Sequence, residues 1–139
     1  MTIQIEKLQE AKELAKEAAH NAYAPYSQFR VGAVIIDANG GLHSGCNVEN
    51  ASYGLSLCAE RNALTKAVVS GIQDLRALVI YTPTDDIISP CGACRQVLCE
   101  FLEPEAPIIS VNQKGEQRQW TMGELMPDAF TPKVLKENS

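Results

Sequence analysis

Three absences narrow what this sequence can do. It has no basic excess: 12 Lys and Arg stand against 17 Asp and Glu, a formal charge of -5. No field draws such a surface toward a polyanion, so a nucleic-acid polymer is not the expected partner. It has no run approaching the roughly 20 apolar residues of a membrane span, so no membrane partner is expected. It also has no secretory signal at its start, because MTIQIEKLQEAKELAKEAAH carries too many acids and lysines. That points to a cytoplasmic location, where thiols stay reduced. Five cysteines, an odd number, then speak against a disulfide framework and for metal binding or catalysis.

Repeats, linkers and low-complexity segments are missing too, so the 139 residues read as one domain, 1–139. That length buries an apolar core without staples. The apolar share of 45% and charged share of 21% are those of an ordinary globular chain.

The spacing of Ile5, Leu8, Ala11, Ala15 and Ala18 predicts an amphipathic helix over about residues 5–22, stopped by Pro25. FRVGAVIIDANGGLHSGCNV reads as two strands around the turn residues Asp37, Asn39, Gly40 and Gly41. LCAERNALTKAVVSG reads as a helix ending at Gly71, and LRALVIYT as a buried strand. Pro90 precedes a third helix, CGACRQVLCEFL, which Pro104 ends; APIISV and EQRQWTM are further strands. Helices alternating with strands imply a three-layer α/β/α sandwich around a mixed five-stranded sheet. Only NQKGE separates the last two strands, far too little for a parallel crossover, so they are expected to pair antiparallel.

Chemistry concentrates in SPCGACRQ, where Cys91 and Cys94 have two residues between them. By itself the pair fits a redox couple, half of a structural zinc site, or part of a catalytic one. Upstream by 33 positions, in LCAERNAL, Cys58 also opens an expected helix and is followed two residues later by Glu60. Three thiols at helix starts beside a carboxylate look like a metal site. Three protein ligands suit catalytic zinc, which keeps a position open, whereas structural zinc fills all four. Cys46 is the main rival for a closed site. Cys99 reads as a small buried apolar side chain, and His20 and His43 as surface or capping residues. Three thiolates around one zinc leave a net negative charge, which weakens the metal's hold on a water proton. Helix N-termini and Arg61 and Arg95, which directly follow the two motifs, are the candidates to compensate it.

NVENASYGLSLCAERNAL together with SPCGACRQVLCEF resembles the small homotetrameric zinc-dependent cytidine deaminases, over about Tyr26 to Phe130. The resemblance implies hydrolytic deamination of cytidine and deoxycytidine to uridine and deoxyuridine, with release of ammonia, in pyrimidine salvage. It implies one zinc per subunit on Cys58, Cys91 and Cys94, with Cys58-Ala59-Glu60 in the His-x-Glu slot and Glu60 as proton shuttle. Phe29 would pack against the pyrimidine, Asn47 and Glu49 would hydrogen-bond the ribose, and the Ala59 amide would meet the base carbonyl. Tyr53 and Phe130 resemble residues that reach a neighbouring subunit's ligand, which implies sites shared within a homotetramer.

Three other readings compete. A nucleic-acid-editing deaminase would call for a basic stripe and a helix where this chain has its short final hairpin. A non-catalytic zinc module leaves Glu60, Asn47 and Glu49 without a job. A deaminase of another small aminopyrimidine compound, such as blasticidin S, would share the zinc and the Glu; Phe29 and CNVENASY lean toward cytidine.

Overall fold

The apolar stripe of the first helix is made largely of alanines because a strand runs directly beneath it. In the computed structural model, which describes residues 3–137, α1 (Ile5–His20) buries Ala11, Ala15 and Ala19 against β1 (Gly32–Asp37). A side chain at Gly32 would lie 1.8 Å from the Ala15 carbonyl oxygen, so glycine is what lets helix and strand meet. Two expectations for this helix are corrected. It ends at His20 rather than near residue 22, and Ile5 is 83% exposed, since the buried line runs through Ala11, Ala15 and Ala19, outside which Ile5 falls.

The sheet is mixed and five-stranded, in the order β2-β1-β3-β4-β5. Here β2 is Leu42–Cys46, β3 Leu75–Tyr81, β4 Pro107–Val111 and β5 Gln117–Thr121. Only β3 and β4 run parallel; the expected C-terminal hairpin is present, with Val111 opposite Gln117. Alternation along the strands divides the core. Val34, Ile36, Val79 and Ile109 face α1. Ala33, Ile35, Leu78, Ile80 and Ile108 face α2 (Ala59–Val69) and α3 (Gly92–Cys99). Each fully buried Ile or Leu contributes about 1.5–3 kcal/mol of apolar burial, and two such layers hold the sheet between the helices.

Two features tie the edges together. At the β1–β2 turn the Asp37 carboxylate accepts from the amides of Asn39 and Gly41 and pairs with His43 Nε2 at 2.8 Å. His43 thus fastens the hairpin from a half-buried position, where a surface or capping role was expected. At the β4–β5 turn, buried Asn112 accepts from the amides of Lys114 and Glu116 and donates to the Asp85 carbonyl at 2.9 Å. After β5 the chain forms α4 (Met122–Leu125) and α5 (Pro132–Glu137), so the expected final strand stops at Thr121. A capping box formed by Thr121 and Glu124 starts α4 there.

Candidate metal centre and active site

The site begins with a close approach. A side chain at Gly45 would lie 2.4 Å from the Ala63 nitrogen and 2.7 Å from the Ala59 oxygen, so α2 rests directly on β2 at this glycine. Asn62 reinforces the contact, donating from Nδ2 to the Cys46 carbonyl at 2.8 Å. The N-terminus of α2 is therefore fixed to the sheet, and Cys58 is its N-cap. Cys91 is the N-cap of α3. Both thiols thus sit where helix N–H groups are unpaired and the helix dipole favours negative charge.

The Sγ atoms of Cys58, Cys91 and Cys94 lie within 4.8 Å of one another. Tetrahedral zinc with Zn–S bonds of about 2.3 Å holds its sulfurs roughly 3.8 Å apart, and Cys58 and Cys91 stand at 3.9 Å. The donor set fits zinc. Among the described residues no fourth Cys, His, Asp or Glu joins the group. Cys46 is half-buried on β2 and stands outside it, while the half-buried Cys99 thiol donates to the Gln96 carbonyl at 3.2 Å.

Charge among the three thiols is unevenly shared. A hydrogen bond from the Cys94 thiol, with Arg61 adding to it, pulls the Cys58 thiol down to about 5. Cys94, on the donating side of that bond and buried, is pushed up. Arg61 places Nη2 at 3.8 Å from Cys58 Sγ and 3.3 Å from the Ser56 carbonyl oxygen. Its Nε is buried without a hydrogen-bond partner among the described residues. Buried orphan donors are rare in folded chains, and this one belongs to the guanidinium that reaches the Cys58 sulfur.

Glu60 is 5% exposed on the first turn of α2. Burial raises its carboxyl to about 7, and the Cys58 thiolate adds to the effect while Arg61 opposes it. The carboxylate is not one of the clustered donors, so Glu60 stands near the metal position without belonging to the ligand set. Ala59, fully buried, occupies the first helical position, where its N–H has no partner within the helix.

Arg95 departs from expectation. Its guanidinium donates to the Pro90 carbonyl at 2.8 Å, the Leu125 carbonyl at 3.1 Å and Ser89 Oγ at 2.9 Å. One position beyond Cys94 the helix has turned by about 100°, and none of these three bonds goes to a sulfur. It braces the segment that enters Cys91.

The expected nucleoside residues lie mostly on loops, one of which is tied to the start of α2 by the bridge between Val48 and Leu57. Phe29 is partly exposed. Asn47 is buried and already engaged, with Oδ1 accepting from the Val31 amide and Nδ2 donating to the Phe29 carbonyl, both at 2.8 Å. Glu49 Oε1 accepts from the amides of Tyr26 and Ser27 at 3.0 and 3.1 Å, and Oε2 accepts from the Ser27 hydroxyl. That hydroxyl is the main reason the Glu49 carboxyl lies below its ordinary range. Tyr26, Ser27, Glu49, Tyr53 and Ser56 line a cavity of about 260 Å³, and the Tyr26 and Tyr53 rings meet edge to face at 5.6 Å. Tyr53 and Phe130 are 73% and 57% exposed; the backbone of Phe130 is tied to α3 by Gln96 Nε2, 2.9 Å from its carbonyl. Ser27 escaped the sequence reading, because a serine in an exposed loop carries no signal of the carboxylate that folds against it.

The model for the cytidine and deoxycytidylate deaminase zinc-binding region matches residues 5–109. The cytidine deaminase of Sporosarcina psychrophila is 42% identical over 121 residues, 87% of this chain and 89% of its own. That of Halalkalibacterium halodurans is 42% identical over 123 residues, covering 88% and 93%. Among solved structures, cytidine deaminase from Burkholderia pseudomallei superposes with a TM-score of 0.84 at 45% identity, covering 88% of this chain and 98% of that one. A cysteine trio on two helix N-termini and a family match spanning Cys58, Cys91 and Cys94 lead to the same place, and the chain belongs to the zinc-binding family of cytidine and deoxycytidylate deaminases.

Proposed function

We propose that this chain is a cytidine deaminase, hydrolysing cytidine and deoxycytidine to uridine and deoxyuridine with release of ammonia. The observation that carries this reading is the buried Glu60 carboxyl standing beside, and not within, the trio of sulfurs.

Cys58, Cys91 and Cys94 would hold one zinc per subunit. Zinc, when bound, supplies a Lewis acid that makes water nucleophilic at neutral pH. The rest of the work belongs to the chain. Adding water at carbon 4 of the pyrimidine and expelling the amine moves both of the water's protons: one reaches the ring nitrogen as the carbon–oxygen bond forms, and the other leaves the carbon-4 hydroxyl for the amine as the carbon–nitrogen bond breaks. Glu60, held near neutrality by burial, is matched to accept and return a proton at the same carboxylate oxygen. Its burial also keeps that proton from exchanging with bulk water during the transfer.

The same reading gives the base to Phe29 and the Ala59 amide, and the sugar to Asn47 and Glu49. Arg61 offsets thiolate charge. Exposed Tyr53 and Phe130 would close a neighbour's pocket in a homotetramer, because a domain this small has little surface to spare around a nucleoside. One cytidine deaminase-like domain, residues 1–139, would make up each subunit, and pyrimidine salvage in the cytoplasm is the proposed setting.

Ultraviolet monitoring of cytidine, deoxycytidine and blasticidin S, with zinc content measured alongside, tests the reading. Turnover of the two nucleosides is expected, and turnover of blasticidin S alone would move the substrate elsewhere. Glu60→Gln is expected to lower turnover at least ~10²-fold with zinc retained; loss of zinc with the activity would make Glu60 structural.

A further inference from the structure

Phe29, whose ring is assigned to the base, has both of its backbone polar groups held by residues of the sugar side. Its N–H donates to Ser27 Oγ at 3.0 Å, and its carbonyl accepts from Asn47 Nδ2 at 2.8 Å. The same Ser27 hydroxyl donates to Glu49 Oε2. Between Ser27 and Phe29, Gln28 takes a left-handed backbone with φ of 57°, a conformation uncommon for a residue with a side chain. The bend folds Ser27 back onto both partners. One hydroxyl therefore links the backbone that carries the ring to the carboxylate assigned to the sugar.

Acceptor capacity sharpens the point. A carboxylate offers about four lone-pair positions. The amides of Tyr26 and Ser27 and the Ser27 hydroxyl use three on Glu49. One position is left, enough for a single sugar hydroxyl, on a carboxylate whose rotation these three bonds prevent. Glu49 lines the cavity of about 260 Å³ together with Ser27, so the remaining acceptor lies at a space a ligand can enter.

We propose that Ser27 is a positioning residue for nucleoside selection: it fixes Glu49 so that its one remaining acceptor meets a sugar hydroxyl, and thereby sets the preference for nucleosides that carry that hydroxyl. The inference rests on the nucleoside reading above. It assigns Ser27 no contact with substrate and no part in the proton transfer.

The test compares kcat and KM for cytidine and for 2′,3′-dideoxycytidine, which lacks both ring hydroxyls, in the wild type, Ser27→Ala, Glu49→Gln and the double variant. Losing a hydrogen bond to a charged group is worth about tenfold or more. In Ser27→Ala the cytidine-to-dideoxycytidine ratio of kcat/KM is expected to fall about tenfold, mostly through KM for cytidine, with zinc content unchanged. In a Glu49→Gln background, Ser27→Ala should change the ratio little further, since it acts through Glu49. If Ser27→Ala lowers both substrates alike, or multiplies with Glu49→Gln, Ser27 is structural and the proposal is overturned. If Glu49→Gln leaves the ratio unchanged, the sugar assignment of Glu49 fails first and takes the inference with it. Should Ser27→Ala fold poorly, Ser27→Cys, close in shape and a weak donor, is read by the same ratio.

Discussion

Arg61 Nη2 stands 3.8 Å from Cys58 Sγ, and the guanidinium is held there by the Ser56 carbonyl at 3.3 Å. The contact brings a fixed positive charge to the edge of the thiol trio. Zinc in a less compensated donor set acidifies water less. Arg61→Ala is therefore expected to shift the acid limb of the activity profile to higher pH. Rates measured from pH 5 to 9 at full zinc occupancy check it; an unmoved profile would leave Arg61 as a structural side chain.

Arg95 provides the contrast. Its three hydrogen bonds brace Ser89, Pro90 and Leu125, and a bond made by a charged group is worth roughly 1.5–3 kcal/mol. Arg95→Ala is expected to lower the melting temperature and to speed zinc loss to a chelator, while the pH profile keeps its position. A shifted profile would return Arg95 to the charge-compensating role expected from the sequence.

How far each assignment was legible follows from what constrains it. The thiol cluster was readable because zinc demands thiols, and thiols at helix starts leave a recognisable spacing: Cys58 as one N-cap, Cys91 as another, Cys94 one turn on. The sheet was readable because buried strands such as LRALVIY and PIISV are continuous apolar runs. The hydrogen bonds of Arg95 to Pro90, Leu125 and Ser89 were not legible, because adjacency in the chain does not say which way a helical side chain points. Ile5 was misread because a five-residue stripe leaves the helix face free to rotate by a residue. The short helix α4 did carry a signal, the Thr121-Met-Gly-Glu124 capping box, which the strand pattern of EQRQWTM obscured. Ser27 had none, since its role depends on a bend at Gln28 that brings distant chain together.

In the metal-free protein Glu60 ties stability to pH. Its carboxyl is raised from 4.5 to about 7 by burial, so between those values the folded state keeps a proton that the unfolded chain has lost. The contribution of Glu60 to stability therefore falls as pH rises through this window. Glu60→Gln removes the effect, so its stability relative to the wild type should rise from pH 4.5 to 7 and then level off. The gain is of order 3 kcal/mol. Denaturant unfolding in excess chelator at pH 5 and 7.5 checks the sign; an equal difference at the two pH values would contradict a buried, protonated Glu60.

Phe130 tests the shared site. Glu60→Ala and Phe130→Ala, each expected to be inactive alone, are unfolded and refolded together so that their chains mix. A Phe130→Ala chain keeps its own thiols and Glu60, and a Glu60→Ala neighbour supplies the missing ring. Some activity should return. Mixed oligomers seen by native mass measurement with no recovery would confine Phe130 to its own subunit.

The central claim, that Cys58, Cys91 and Cys94 hold a catalytic zinc worked by Glu60, is tested most directly by zinc titration of chelator-stripped protein. Cytidine turnover, followed as loss of ultraviolet absorbance together with ammonia release, should rise linearly and break at one zinc per chain. Glu60→Gln should take up the same zinc with at least ~10²-fold less turnover. Turnover that survives complete removal of zinc, or zinc that raises the melting temperature without restoring turnover, would contradict the account.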